Sequence, residues 1–568
     1  MRAFDHSKYR PFRPIRLADR QWPEKQIEHA PDWCSVDLRD GNQALVQPMS
    51  VPKKLQLFDL LVELGFKEIE IGFPSASQTE FDFARRLVEQ NRIPESVTVQ
   101  VLTQARQELI ERTFEALRGV PRAIVHVYNS TSPVQREQVF KATKEEVIAI
   151  AVGGARHLQQ YAARHPETEW TFQYSPESFS GTEPDYAVDV CNAVLEVWRP
   201  QAGQRVVINL PGTVEMTTPN IFADQVEYFC RHVAHREHIR ISLHTHNDRG
   251  CAVAAAELGL LAGADRVEGT LFGNGERTGN MDIVTMAMNL YSQGIDPHLD
   301  FSNMARMIDV YKRCTEMPVH PRHPWAGDLV YAAFSGSHQD AIRKSMAFHR
   351  EHELPHWTVA YLPIDPRDLG RRYEEVVRIN SQSGKGGVAL VLERDHGITL
   401  PKWLHPALSR VVQTQADASG EEISSRQVLA LFESEFLSVP DGWRLHGYDL
   451  HSETQHTRGR FRLLKDGAEV LLTGEGQGLI EALVDAVTRR FAVAVSVVDF
   501  DEHAMSPGTA AKALASVTVE AGGRQATACC IDEDTSLATL QATLSAVGRA
   551  LETGAAEANL NLRNVSSA

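Results

Sequence analysis

Cysteine is scarce, with seven in 568 residues, no Cys-x-x-Cys and only Cys529 and Cys530 adjacent. That usage excludes a disulfide framework and a thiolate zinc site, and it predicts buried free thiols. Basic charge is in deficit: 58 Lys and Arg against 74 Asp and Glu leave a formal net charge of −16, opposite to the footprint of nucleic-acid or anionic-membrane binders. Long apolar runs are missing as well. The longest, around Cys251 to Ala264, is broken by Glu257 and is too short to cross a bilayer. The opening MRAFDHSKYR has no signal-peptide apolar stretch. A soluble cytoplasmic protein with no nucleic-acid and no membrane partner is expected. What remains is ordinary globular composition, 43% hydrophobic and 23% charged, in a chain long enough for roughly three or four domains.

Between about residues 33 and 290, short β-branched runs alternate with longer amphipathic stretches. The eight runs are WCSVDL, KEIEIGF, VTVQVL, AIVHVY, WTFQYS, RVVINL, ISLHTH and DRVEGTLF. Their spacing suits repeated strand-helix crossovers, and eight such units suggest an α/β fold of the (β/α)₈ TIM-barrel type. An open doubly wound sheet is the alternative. In the first predicted helix Ser50 can cap, Pro52 sits in the first turn, Leu55, Phe58, Leu61 and Val62 form a buried stripe, and Gly65 can end it.

The pattern loosens after Tyr291. MPVHPRHPWAG (Met317 to Gly327) suggests an exit linker into small helical pieces, and NSQSGKGG (Asn380 to Gly387) is a second irregular stretch. From about residue 440, strands near 444–450, 459–465 and 468–473 with an Asp466-Gly467 turn precede a helix near 479–491. Strands near 493–499, 515–520 and 525–531 with a Gly522-Gly523 turn precede another near 535–551. The expected organisation is an N-terminal arm over 1–30, a barrel over 31–327, helical linker subdomains over 328–440, and over 441–568 an α+β domain of two βββα modules for sensing or dimerisation.

In such a barrel the working residues stand where the strands end. Strand one ends in Arg39-Asp40, strand four carries His126 and Tyr128, strand five leads into Ser175 and Glu177, strand six into Thr213, and strand seven ends at His244-Thr245-His246. His244 and His246, two apart on a strand, share a face. With Asp40 from a nearby strand of a closed barrel they make a His₂-carboxylate set suited to a divalent cation with open positions. The bland alternative is a pair of hydrogen-bonded rim histidines. The loop Gly273 to Asn280 (GNGERTGN) permits close backbone approach, and Asn280 either supplies a neutral oxygen ligand or shapes the turn. Arg39 either stabilises charge on a substrate oxygen or pairs with Glu177 or another rim acid.

At these residues the chain resembles a known family. DLRDGNQAL (Asp37 to Leu45), HTHNDRG (His244 to Gly250) and GNGERTGN are similar to the signatures of barrel acyltransferases and lyases acting on 2-oxo acids and thioesters. KYRPF, DRQWP, YSPESFSGTE, NLPGTVE, SGSHQDA, YLPIDPRD and NSQSGKGG extend the likeness, over nearly the whole chain, to the α-isopropylmalate synthase family in its form with a C-terminal regulatory domain. The resemblance implies condensation of acetyl-CoA with 2-oxoisovalerate and water, in the committed step of leucine biosynthesis. It implies a divalent metal, Mg²⁺ first with Mn²⁺ or Zn²⁺ compatible, on Asp40, His244, His246 and Asn280. Leu102, His126, Tyr128, Ser175, Asn209 and Thr213 match oxo-acid-pocket positions, with Arg39 beside the ketone oxygen. Glu177, His338 and Tyr361 match residues implicated in catalysis, the last two reaching the partner subunit's barrel, which implies a homodimer.

The tail implies leucine as an allosteric inhibitor, although Gln477 and Leu479 stand where asparagine and proline are usual in the family. The neighbouring activities are homocitrate and citramalate synthases, and a thioester lyase on the same barrel. A silent amino-acid-binding protein is the non-enzymatic reading. An aliphatic Leu102 among neutral Ser175, Asn209 and Thr213 suits a branched side chain better than a second carboxylate, which calls for a basic partner.

Overall fold

The computed structural model describes residues 5–202, 206–375, 385–419, 423–454, 456–465, 468–506, 508 and 511–565. The chain divides into two compact units, one of residues 1–331 and 362–373, the other of residues 332–361 and 374–568.

In the first unit eight strands, β1 (Asp32–Ser35), β2 (Glu68–Gly72), β3 (Thr98–Gln104), β4 (Arg122–Ser130), β5 (Glu169–Glu177), β6 (Val206–Gly212), β7 (Ile239–Thr245) and β8 (Arg266–Gly269), form a closed parallel barrel in sequence order. Each falls on one of the eight apolar runs. The register Trp33↔Val267 and Cys34↔Glu268 zips β8 onto β1, which excludes the open sheet. The strands are followed by α1 (Val51–Glu63), α2 (Gln78–Glu89), α3 (Gln107–Ala116), α4 (Lys144–Ala162), α5 (Pro184–Trp198), α6 (Pro219–His232), α7 (Ala252–Leu261) and α8 (Ile283–Tyr291). Helix α1 begins after Ser50 with Pro52 in its first turn, but Ser50 makes no side-chain cap. Its buried face is Lys54, Leu57, Phe58, Leu60 and Leu61, while Leu55 and Val62 are only half-buried. The stripe is thus rotated from the expected one, because the Lys54 ammonium turns inward to donate to the Leu38 carbonyl at 2.9 Å and to pair with Glu80. Gly65 follows the helix at φ +102°, a conformation open to glycine without strain.

The arm before the barrel is tied to α6: Trp22 Nε1 donates to Asp224 at 2.8 Å, and Arg20 pairs with the same carboxylate at 2.9 Å. After α8 comes α9 (Met304–Thr315), then the turns of the proline-rich segment, where His323 pairs with Asp282 at 2.8 Å.

The barrel interior is polar where hydrocarbon is usual. Arg266, fully buried, donates to Glu68 and Glu268 at 2.6 Å each and to Ser242 and Gln100 at 2.8 Å each. Glu68 and Glu70, like Arg266 and Glu268, are two apart on one strand and so face the same way, alternating with buried Ile69, Ile71 and Val267. Burial opposes ionisation of Glu68 and Glu268, but Arg266 outweighs it and holds both carboxyls below the usual carboxylate range.

The second unit contains two short parallel strands, β9 (Ala332–Ala333) and β10 (Glu374–Glu375), the helices α10 (Gly336–Glu351), α11 (Lys385–His396), α12 (His405–Ser419) and α13 (Ser425–Phe432), and then two antiparallel three-stranded sheets. The first is β11 (Arg444–Glu453), β12 (His456–Lys465) and β13 (Ala468–Gly476) with α14 (Leu479–Phe491). The second is β14 (Val495–Ala504), β15 (Ala513–Ala521) and β16 (Arg524–Asp532) with α15 (Thr535–Val565). This is the tandem βββα pattern. Gly522 and Gly523, at φ +61° and +77°, make the expected two-residue hairpin turn; the Asp466-Gly467 turn and most of NSQSGKGG lie outside the described residues. Both modules share one core, including Phe461, Leu472, Leu483, Val517 and Leu544. A second cluster joins α11 to α13 with Leu514 and Cys529 of the second sheet. All seven cysteines are free; Cys34, Cys191, Cys314 and Cys529 are buried and the other three half-buried. Among the described residues no helix is long and apolar enough to cross a membrane.

Removing one partner of a buried ion pair strands the others. Arg266→Ala is therefore expected to destabilise the barrel by about 3–5 kcal/mol, read as a shift of its urea unfolding transition.

Candidate metal centre

The strand β1 ends at Ser35, and a single wide π-helical turn, Asp37–Gly41, brings Asp40 to the barrel mouth. His244 and His246 arrive at the end of β7. Asp40 Oδ2 lies 3.2 Å from His244 Nε2 and 3.5 Å from His246 Nε2. All three side chains are buried, and one ligand atom from each falls within 4.8 Å of the others. Ligands about 2.1 Å from a shared ion stand about 3.0–3.4 Å apart, close to the two distances from Asp40 to the histidines.

Asn280, in the loop after β8, is the fourth candidate. It pairs with His246 as an isolated antiparallel bridge, and its Oδ1 is buried with no hydrogen-bond partner among the described residues. An unpartnered buried amide oxygen is costly unless a cation takes it. The donor set of one carboxylate, two imidazoles and an amide oxygen therefore fits a divalent cation. The loop glycines make room for it. A Cβ at Gly275 would fall 2.8 Å from Asn280 Cγ, and at Gly279, where φ is +101°, one would fall 2.0 Å from the Gly273 carbonyl oxygen.

Charge is arranged around this centre. Burial opposes the Asp40 carboxylate, but the Arg39 guanidinium at 2.7 Å and His244 hold its pKa well below the usual range. Burial likewise opposes the His244 imidazolium, yet hydrogen bonds to Asp40 and Glu268 carry its pKa up to about 9. His246 is pushed down to about 4 by burial and by charged His244.

Arg39 also pairs with Glu70, a buried acid within β2, where Glu177 or another rim acid was expected. Glu70 Oε2 lies 3.1 Å from His126 Nδ1, and His126 Nε2 lies 2.6 Å from Ser175 Oγ. Asn209 Nδ2 donates to that same hydroxyl at 2.9 Å. One continuous chain thus runs from Arg39 to Asn209 through buried side chains. Leu102, Tyr128, Glu177 and Thr213 join Arg39, Asp40, His126, Ser175, Asn209, His244 and His246 around one cavity of about 290 Å³. Ser130 donates to Glu177, Gln104 to Tyr128 at 3.3 Å, and the Ser178 backbone N–H to Thr213 Oγ1 at 2.9 Å. Burial pushes the Tyr128 phenol up.

His338 and Tyr361 belong to the other unit. There they are exposed and stacked on each other, with ring centroids 4.2 Å apart, and Tyr361 stands at φ +61°, a left-handed conformation that is uncommon for a bulky residue.

Sequence reasoning confined to strand ends missed Glu70 and Glu268, which sit inside the runs. The available signal was a charged residue within an otherwise β-branched strand buried on both faces. It also missed Phe73, Pro211, Glu276 and Arg277 in the cavity wall. Arg277 pairs with Asp248 at 2.7 Å and donates to the Thr213 carbonyl, while Asp248 accepts the Glu215 backbone N–H at 3.0 Å. These bonds lock the loops after β6, β7 and β8 together.

A closed eight-stranded barrel with an Asp-His-His cluster at its mouth places the catalytic part of the chain among HMGL-like proteins, whose family model matches residues 30–310. Residues 328–393 match the model described as alpha-isopropylmalate synthase, post-catalytic domain-like, and residues 422–551 the LeuA allosteric (dimerisation) domain. A 2-isopropylmalate synthase of Alcanivorax borkumensis is 57% identical, covering 97% of this chain and 98% of that protein. Those of Pseudomonas putida (52%; 97% and 98%) and Clostridium acetobutylicum (50%; 96% and 99%) are similar over the same extent. The chain belongs to the 2-isopropylmalate synthase family.

The backbone strain and clash at Gly279 have a measurable consequence. Gly279→Ala is expected to introduce about 1–3 kcal/mol of strain, displace Asn280 and weaken Mn²⁺ binding in calorimetry. Gly153→Ala on α4, where a Cβ meets nothing within 4 Å, leaves binding unchanged.

Proposed function

We propose that this chain condenses acetyl-CoA with 2-oxoisovalerate and water to give 2-isopropylmalate and CoA, as a metal-dependent acyltransferase at the committed step of leucine biosynthesis. The observation that carries the proposal is the Asp40-His244-His246 cluster opening into a cavity of substrate size, in a chain of this family.

Asp40, His244, His246 and Asn280 would hold the divalent cation, with Mg²⁺ first and Mn²⁺ or Zn²⁺ compatible, which when bound supplies Lewis acidity toward the carboxylate and ketone of the oxo acid. Arg39, fixed between Asp40 and Glu70, directs a permanent cation at the ketone oxygen and stabilises the alkoxide as the new carbon-carbon bond forms. Ser175, Asn209, Thr213 and His126 orient the oxo acid, so that its carbonyl carbon meets the attacking carbon in one geometry. Leu102 and Tyr128 face its side chain. The methyl proton of acetyl-CoA passes to His338, with Tyr361 and Glu177 assisting. The stacking of His338 on Tyr361 supports treating those two as one functional pair. The methyl carbon then attacks, and water releases CoA from the thioester.

The two guanidiniums that line the cavity are both in use, Arg39 for Asp40, Glu70 and the ketone oxygen of the oxo acid, and Arg277 for Asp248. A second substrate carboxylate would find no free cation there, which favours 2-oxoisovalerate over the dicarboxylic substrate of a homocitrate synthase. The working limits are an arm over 1–30, the catalytic barrel over 31–327, linker subdomains over 328–440 and a regulatory and dimerisation domain over 441–568, in a cytoplasmic homodimer inhibited by leucine.

Thiol release from acetyl-CoA should be fastest with 2-oxoisovalerate among that acid, pyruvate, 2-oxobutyrate and 2-oxoglutarate. It should stop with a chelator and return with Mg²⁺ or Mn²⁺. Preference for 2-oxoglutarate would overturn the substrate assignment, and indifference to chelator the metal. His246→Ala should abolish turnover in the same assay, and leucine should suppress it in the intact protein.

A further inference from the structure

The two imidazoles of the cluster are held very differently. His244 Nδ1 lies 2.8 Å from Glu268 Oε2, whereas His246 Nδ1 is buried with no hydrogen-bond partner among the described residues. The contact to His244 is set by the barrel register, since His244 on β7 lies directly opposite Glu268 on β8. Glu268 is itself unable to turn away. Its Oε1 accepts from Arg266 Nη1 at 2.6 Å, from Gln173 Nε2 at 2.7 Å and from Gln100 Nε2 at 3.2 Å. Arg266 in turn spends its remaining N–H groups on Glu68, Ser242 and Gln100. Both residues are fully buried, so no water competes for these bonds.

We propose that Glu268, clamped by Arg266, is a positioning residue for the metal centre: it fixes the His244 ring so that Nε2 faces Asp40, and makes His244 the preformed ligand of the pair. The proposal rests on the reading of Asp40, His244 and His246 as metal ligands. An ionised carboxylate only accepts hydrogen bonds, so Nδ1 keeps its hydrogen toward Glu268, and Nε2, facing Asp40, is the nitrogen that gives up its proton when an ion binds. Carboxylates that hold a ligating histidine in this way raise its basicity and set its orientation. His246 Nδ1 lacks such a partner, and its ring meets Asp40 through Nε2 at 3.5 Å. Neither Glu268 nor Arg266 touches the substrate cavity. They act through His244 alone.

The test is Mn²⁺ binding to the full-length protein, followed by the electron paramagnetic resonance of the free ion, independently of turnover. Wild type is expected to bind one Mn²⁺ per chain. Glu268→Gln keeps the volume but gives up the charge and one acceptor, and it should weaken Mn²⁺ about ten- to a hundredfold with native circular dichroism. Phe114→Leu, in the apolar core around Tyr161 and Trp170, lowers the melting temperature without changing Mn²⁺ affinity, which separates positioning from general destabilisation. Should the glutamine variant fail to fold, Glu268→Asp keeps a charge for Arg266 but withdraws the carboxylate from His244, and the same loss of affinity is expected. A folded Glu268 variant that binds Mn²⁺ as tightly as wild type overturns the positioning role and leaves the metal centre standing. Wild type that binds no Mn²⁺ overturns the metal centre itself.

Discussion

Three buried carboxylates organise the barrel mouth, and each stands between a guanidinium and an imidazole. Glu70 bridges Arg39 and His126, Glu268 bridges Arg266 and His244, and Asp40 bridges Arg39 and the His244-His246 pair. Buried ion pairs add little net stability, because desolvation cancels most of the attraction. What they do impose is a heavy penalty on any arrangement that separates them. The interior of this barrel is therefore tied to one register and one set of side-chain orientations. The Asp40-His244-His246 trio and the cavity inherit that rigidity.

The loops obey a second constraint. Arg39 and Asp40 follow β1 while Asn280 follows β8, so the parts of the site are far apart in sequence and are joined only where the barrel closes. Asp37 strengthens that seam by accepting the Leu271 backbone N–H at 3.0 Å. On the other side, Arg277, Asp248 and Glu215 bind the loops of three successive strands into one rim. Arg39, Asp40 and Asn280 are thus carried on loops and His244 within β7, and the mutual positions of those loops are set by charge and by backbone hydrogen bonds.

Much of this was legible in the amino-acid order. Parallel strands covered on both faces appear as unbroken β-branched runs, which is why all eight were found, and two histidines at i and i+2 can only point the same way. The Leu55–Val62 stripe was misjudged because a buried lysine does not look apolar, yet the Lys54–Glu80 pair sets the rotation of α1. Glu70 and Glu268 escaped because attention to strand ends treats residues within strands as packing. The roles of His338 and Tyr361 came from family likeness alone. Nothing in spacing or periodicity relates a stacked, exposed pair in one unit to a metal cluster in the other.

Closure of β1 against β8 also bears on how the molecule is made. A ribosome delivers Asp40 early and the two histidines some two hundred residues later, but neither the closing strand nor Asn280 has emerged at that point. Domains generally fold as units during synthesis, and here the early strands have nothing to close upon until β8 has emerged. The nascent polypeptide consequently carries Asp40, His244 and His246 without a closed barrel mouth, and their lasting approach is postponed until translation has passed β8 and the turn behind it.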